Sequence, residues 1–127
     1  MLSKKSIKIN ELTGKGLLYA VLISIGYNIT KEQNGMFWCM HDSQQYINSW
    51  LEEYPSITTW EYIIPFIEKN KIEYEWVNKG TRLCATLTDC NGKNHYGYGK
   101  DYIESTLKCL ITNFYGEYIE IPQEFLI

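Results

Sequence analysis

Arginine is almost missing from this chain of 127 residues: Arg82 is the only one. Proteins that hold duplex nucleic acid neutralise many phosphates with cationic side chains. A single arginine and a net charge of −3 argue against that role. A mimic of DNA would be far more acidic, so that role is not indicated either. Histidine is scarce too, with only His41 and His95. No nucleophile stands at a recognisable spacing from either one, and the adjacent acids Glu52 and Glu53 read as solvated. Few residues are left for the roles that catalysis requires, so the chain is expected to be non-enzymatic. The four cysteines, Cys39, Cys84, Cys90 and Cys109, contain no C-x-x-C pair. Cys39 with His41, or Cys90 with His95, would supply only two metal ligands where structural zinc wants four. No metal and no cofactor is expected, and the cysteines read as reduced, intracellular core residues. Long apolar runs are lacking as well. The longest, Leu17 to Ile25 broken by Ser24, is too short to span a bilayer. The lysine-rich start is not followed by the apolar stretch of a signal peptide. No membrane partner is expected, and the sequon at Asn28-Ile29-Thr30 carries no weight without secretion.

Aromatic residues are abundant: eleven tyrosines and four tryptophans. Hydrophobic residues make up 45% and charged residues 21%, a globular balance, and the length suits one domain over residues 1–127. Residues Ser6 to Ile9 alternate as a short edge strand does. Asn10 is a natural N-cap for a helix over 11–25, with Gly26 just beyond its end. That helix is apolar on nearly all sides, as in helices covered by their own domain or by a partner subunit. Gly14 and Gly16 suggest close approach of another backbone. Thr30 to Gly35 reads as a loop and Met36 to Met40 as a short strand. Asp42 or Ser43 could start a short helix in which Tyr46, Ile47, Trp50 and Leu51 share a face.

The stretch Tyr54-Pro55-Ser56-Ile57-Thr58-Thr59-Trp60 launches the next helix, over 59–70. Thr58 or Thr59 is placed to cap it, and Ile63, Phe66 and Ile67 give it an apolar stripe. Pro65 should kink or split it. Trp60 is open to two readings, a core anchor or part of a pocket wall with Ser56, Thr58 and Thr59.

Three alternating segments follow, at about 72–78, 81–89 and 93–98, and they predict an antiparallel meander. Two-residue turns at Lys79-Gly80 and Asn91-Gly92 would pair Trp76 with Leu83, Tyr74 with Ala85, Leu87 with Tyr96, and Ala85 with Tyr98. All of these would share one apolar face. The other face would carry Glu73, Glu75, Arg82, Cys84, Thr86, Thr88, His95 and Gly97, as a solvated surface or as a shallow binding surface around Arg82. A last helix is expected over 102–115, capped by Asp101 with Glu104. Ile103, Leu107, Leu110, Ile111 and Phe114 form its buried stripe, and Gly116 ends it. The turn Gly97-Tyr98-Gly99-Lys100 could hold a phosphate at the helix start, though Asp101 competes for the same donors. The segment from Glu117 to Ile121 alternates as an edge strand. The fold class is therefore α+β, a three-stranded meander packed with three helices and short edge strands near the termini.

Three blocks, in order, resemble the NinX-like group of small phage proteins and the wider phage ABA-sandwich domains. Glu11-Leu12-Thr13-Gly14, with Tyr19-Ala20-Val21, is similar to the group's opening E-L-T-G…W-A-V. Tyr54 to Trp60, with Pro65 and Ile67-Glu68, is similar to Y-S-P-S-T-D-W…P-x-I-E. Thr106-Leu107-Lys108-Cys109, with Gly116 and Ile119-Glu120-Ile121-Pro122, is similar to A-M-R-C…G-x-x-V-x-V-P. The departures fall on polar positions: Thr59 stands for Asp, Ile57 for Ser, Leu18 for an expected Asp and Lys108 for Arg. The resemblance implies a phage or prophage accessory protein in the bacterial host cytoplasm, and no reaction.

Two kinds of binder fit these observations. One takes a small nucleotide-like ligand, to counter host defence, with Ser56, Thr58, Thr59, Trp60, Arg82, Lys100 and Lys108 as its ligand-binding residues. A homo-oligomer would suit such a site. The other is an inhibitor or regulator that docks a host or phage protein on exposed aromatic residues.

Overall fold

Alternation and turn chemistry set the architecture. The computed structural model describes residues 4–44, 47–53 and 60–126, the side chains of 60–63 excepted. In order the chain forms β1 (Lys4–Lys8), a 3-10 turn at Ile9–Glu11, α1 (Gly14–Ser24), β2 (Asn28–Lys31), β3 (Phe37–Met40) and β4 (Ser49–Trp50). A 3-10 turn at Leu51–Glu53, α2 (Trp60–Asn70), β5 (Glu73–Val77), β6 (Arg82–Thr88) and β7 (Asn94–Gly99) follow. The chain closes with α3 (Tyr102–Tyr115), β8 (Tyr118–Pro122) and a 3-10 turn at Gln123–Phe125. The class is α+β. Its strands form three antiparallel sheets, β1-β8, β2-β3-β4 and β5-β6-β7.

The first hairpin of the meander has the expected register, with Trp76 opposite Leu83 and Tyr74 opposite Ala85. Its ladder closes at Val77–Arg82, and Asn78, Lys79 and Gly80 all have positive φ in the turn, 52°, 59° and 84°. The second hairpin is one residue out from the expected pairing. Leu87 faces His95, Ala85 faces Gly97, and Thr86 and Cys84 face Tyr96 and Tyr98. Its loop has three residues, Cys90, Asn91 and Gly92, because Asp89 N–H donates to the Lys93 carbonyl at 2.9 Å. The Asp89 carboxylate organises this loop. Oδ1 accepts from Asn91 N (2.9 Å) and Lys93 N (3.0 Å), and Oδ2 meets His95 Nε2 at 2.9 Å. With a strand period of two, one extra loop residue turns every β7 side chain over. Tyr96 and Tyr98 therefore lie on the open face with Arg82, and His95 and Gly97 lie on the covered one.

Helix packing explains the choice. A Cβ at Gly97 would overlap the Cys109 amide and the Ser105 carbonyl, and one at Gly99 would lie 2.7 Å from Ser105 N. The two glycines let the backbone of α3 rest directly on β7. Tyrosines in that register could not. Asn10 completes the contact. Its Oδ1 accepts from Tyr98 N at 2.8 Å, and its Nδ2 reaches the Tyr96 carbonyl at 3.5 Å. An amide side chain thus stands in for a neighbouring strand on the β7 edge. This is why Asn10 does not cap α1. That position falls to Thr13, whose side chain makes no capping bond.

The main core gathers Ile9, Leu12, Leu22, Leu51, Ile111, Ile121 and Phe125, with a second cluster around Ile72, Ala85, Leu87 and Cys109. Much of the apolar surface of α1 is covered within the chain, by α3, β8 and the closing turn, while Leu18 and Ile23 stay half-buried. Pro65 sits inside a continuous α2, so it does not split the helix. Phe114 is 57% exposed and leaves the buried stripe of α3 short of its expected end. In the irregular segment, a strand (β2) begins where a loop is expected to include Thr30. Trp50 lies in β4 opposite Trp38 rather than on a helix face, and Tyr46 lies outside the described residues. The Trp38–Trp50 contact, at 5.0 Å between centroids, is the pairing that the helix would forfeit.

Gly97→Ala should cost about 2–3 kcal/mol or more, because backbone atoms must move. The shift of the denaturation midpoint at constant slope measures it. The bond to His95 and the loop N–H groups hold the Asp89 carboxyl below the ordinary value of 3.8. Its stabilising contribution is therefore complete above that value and is lost as pH falls through the lowered one. Asp89→Asn should be the less stable protein at neutral pH, and the gap to wild type should close in acid. Denaturant midpoints measured across that range test this, and a gap independent of pH would contradict it.

Candidate functional site

Ser56, Thr58 and Thr59 lie outside the described residues, as do the expected cap and the side chain of Trp60, whose backbone opens α2. The three cations proposed with them are placed differently from one another. Arg82 is exposed, with its guanidinium 4.9 Å from the centre of the Tyr98 ring. Lys100 follows Gly99, the last β7 partner of Leu83, so Arg82 and Lys100 leave the meander at the same end. Lys108 is only 3% exposed. Its Nζ donates to the Asn10 carbonyl at 3.1 Å and stands 3.5 Å from Glu104 Oε1. Burial lowers its pKa, against the opposing pull of Glu104. The expectation that Lys108 faces a ligand is corrected here, since its ammonium is spent tying α3 to the turn at Ile9–Glu11.

The start of α3 is occupied in the same way. Asp101 Oδ1 accepts from Glu104 N at 2.8 Å, and Glu104 Oε1 accepts from Lys100 N at 3.3 Å. These capping bonds use donors that a phosphate would need, and Gly97 and Gly99 serve helix packing instead. The histidines are also committed. Ser43 N–H donates to His41 Nδ1 at 2.9 Å. The ring proton therefore lies on Nε2, which donates to the Ile25 carbonyl at 2.6 Å. His95 is paired with Asp89. Cys39 is buried, and burial pushes its thiol up to about 12. Among the described residues, no three His, Cys, Asp or Glu side chains gather as a metal site requires.

Another concavity lies at the start of α1. It is a cleft of about 530 Å³ whose lining includes Lys5 from β1, Glu11, Thr13, Gly14, Lys15 and Phe125. Thr13 is extended and its hydroxyl makes no capping bond. The first N–H groups of a helix have no partner within it, and the Thr13 side chain does not cap them. Gly14 adopts φ +54° with open space around its Cα, whereas Gly16 lies against Leu12 and the Phe125 carbonyl. Close approach thus explains Gly16, and backbone conformation explains Gly14. Composition and periodicity do not mark this cleft. The one signal in the sequence is that Glu11 to Gly14 is the block that opens the phage resemblance.

A second, flatter candidate is the open face of the meander. Tyr96 is exposed, and Tyr98 is half-buried between Arg82 and Cys84. Burial, then the neighbouring Cys84 thiol, raise the Tyr98 pKa, which keeps the phenol neutral. No protein-family model and no curated protein matches the chain.

Lys108→Ala should lower stability by about 1–3 kcal/mol, since the Asn10 carbonyl loses its donor. Equilibrium denaturation reads this. A neutral substitution would mean that Lys108 is not the tie described.

Proposed function

We infer that the chain is a non-enzymatic accessory protein of phage or prophage origin that acts by binding. Its ligand is a small nucleotide-like anion of the kind used as a signal in host defence, and it works in the bacterial host cytoplasm. The observation that carries this reading is the cleft at the start of α1, where Lys5 and Lys15 line the same space as an uncapped helix N-terminus. Backbone N–H groups and the helix dipole favour a phosphate at such a place. The apolar side chain of Phe125 in the same lining offers contact to an uncharged part of the ligand. Glu11 sets a limit on charge and favours one or two phosphates over a long polyphosphate. The block Glu11 to Gly14 that carries the resemblance is also part of this lining.

The open face of the meander favours a second reading. Tyr96, Tyr98 and Arg82 are residue types that anchor protein interfaces, and a host or phage protein would dock there.

One experiment separates the two. The full chain is titrated calorimetrically with inorganic pyrophosphate and a panel of mono- and dinucleotides. On the first reading a panel member binds, salt weakens it, and Lys5→Gln with Lys15→Gln weakens it about tenfold or more, while Arg82→Ala with Tyr96→Ala does not. A silent panel, together with capture of a host protein that is lost in Arg82→Ala with Tyr96→Ala, would discard the anion and keep the protein partner.

A further inference from the structure

The outer face of the β2-β3-β4 sheet carries a different kind of site. Thr30, Trp38 and Trp50 stand in one row across it, because Thr30 pairs with Trp38 and Trp38 with Trp50. The other face of β3 is given to the core, where Phe37 and Cys39 are buried. Both tryptophans are half-buried. Their ring planes meet at 71°, centroids 5.0 Å apart. Two indoles at that angle make a corner, not a single flat wall. The corner opens into a basin of about 560 Å³ whose remaining lining is Glu32, Gln33 and Asn34. The Glu32 carboxylate is oriented by Thr30, whose Oγ1 donates to its Oε1 at 3.1 Å.

Charge decides what this corner fits. Among the described residues, Glu32 is the one charged residue in the lining, and no lysine or arginine shares it. Lys31, next in sequence, is paired with Glu124 at 2.9 Å. Glu52 and Glu53 follow Trp50 and are exposed. An anion would meet Glu32 with no cation to offset it. A sugar ring would stack on one flat indole face, and the corner denies it the second. A cation gains from both π faces, of which indole is the strongest, and from the carboxylate. A methylated ammonium gains most. Its charge is spread over methyl groups, it loses no N–H hydrogen bonds on leaving water, and the methyls pack on the rings. We propose that Trp38, Trp50 and Glu32 form a binding site for a methylated ammonium group, carried by a free choline-like amine or by an N-methylated lysine side chain. The site shares no lining residue with the cleft at the start of α1, so either can fail without the other.

The test uses the full chain, with the indole N–H resonances of Trp38 and Trp50 followed by NMR. Choline chloride is compared with 3,3-dimethylbutan-1-ol, which has the same shape without the charge, and with sodium chloride at equal ionic strength. The expected result is a saturable shift of both indoles with choline alone. Glu32→Gln, which keeps an acceptor for Thr30, weakens choline binding about three- to tenfold, and Trp50→Phe weakens it further in a protein that still shows the wild-type fold. A peptide bearing trimethyllysine that binds more tightly than choline assigns a protein source, and the reverse order assigns a free amine; either retains the site. Equal shifts with choline and its neutral isostere would reduce the corner to an apolar patch. No shift in the folded wild type would leave the two tryptophans as a cross-strand pair that only stabilises the sheet. Either result overturns the proposal.

Discussion

The backbone-to-backbone contact between α3 and β7 governs the rest of this structure. Strand and helix can approach so closely only where no Cβ intervenes, and Gly97 and Gly99 meet that condition on one face of β7. Once they face the helix, the alternation of the strand fixes everything else on it. Tyr96 and Tyr98 must point away, and His95 must point inward, where it meets the carboxylate that shapes the loop. The contact also positions the free edge of β7 beside the turn at Ile9–Glu11. Asn10 then satisfies that edge with its side chain, while its own carbonyl takes the buried ammonium of Lys108. One steric condition thus links the meander, the last helix and the segment that enters the cleft at α1.

That condition was only half legible in the sequence. The strands of the meander, the register of its first hairpin, the Asp101 cap and the termination of α3 at Gly116 could all be read from local chemistry, because each depends on residues close together in the chain. The second hairpin could not. Asn91-Gly92 signals a two-residue turn, but Asp89 two positions earlier competes for the same N–H groups and draws in a third loop residue. Apolar alternation then favoured the wrong register, since Tyr96 and Tyr98 look like core residues and glycine carries no hydropathy signal. The space that α3 needs is a tertiary requirement, and it outweighed the apparent pairing. Asn10 misled for a related reason: a good capping residue is also a good strand mimic, and only the fold shows which partner is near. For the binding residues, charge indicated Arg82, Lys100 and Lys108 alike, yet burial separates Lys108 from the other two. The cleft at α1 was not visible because its walls come from β1, α1 and the C-terminal turn, far apart in sequence.

Several reactive side chains are committed to holding the fold together. A catalytic side chain must face a cavity with a proton affinity suited to exchange there. Among the described residues, both histidines and several other groups with that capacity are directed at the protein itself. His41 is bonded through both ring nitrogens, to Ser43 N and the Ile25 carbonyl, and His95 closes a loop with Asp89. Lys108 supports a backbone carbonyl, and burial holds the thiols of Cys39 and Cys109 at about 12. Two of the concavities present lysine ammonium beside a helix N-terminus in one and paired indoles beside a carboxylate in the other. Such groups are suited to recognising charge and shape.

On the proposed readings these two concavities take ligands of opposite sign, and they share no lining residue. The cleft at α1 draws its cations from β1 and from the first turn of the helix, whereas the indole corner stands on the outer face of a separate sheet. A chain with a net charge of −3 has little long-range field with which to steer either ligand. Discrimination must then come from contacts at short range: N–H groups that an ammonium cannot use, and π faces that a phosphate would meet with repulsion.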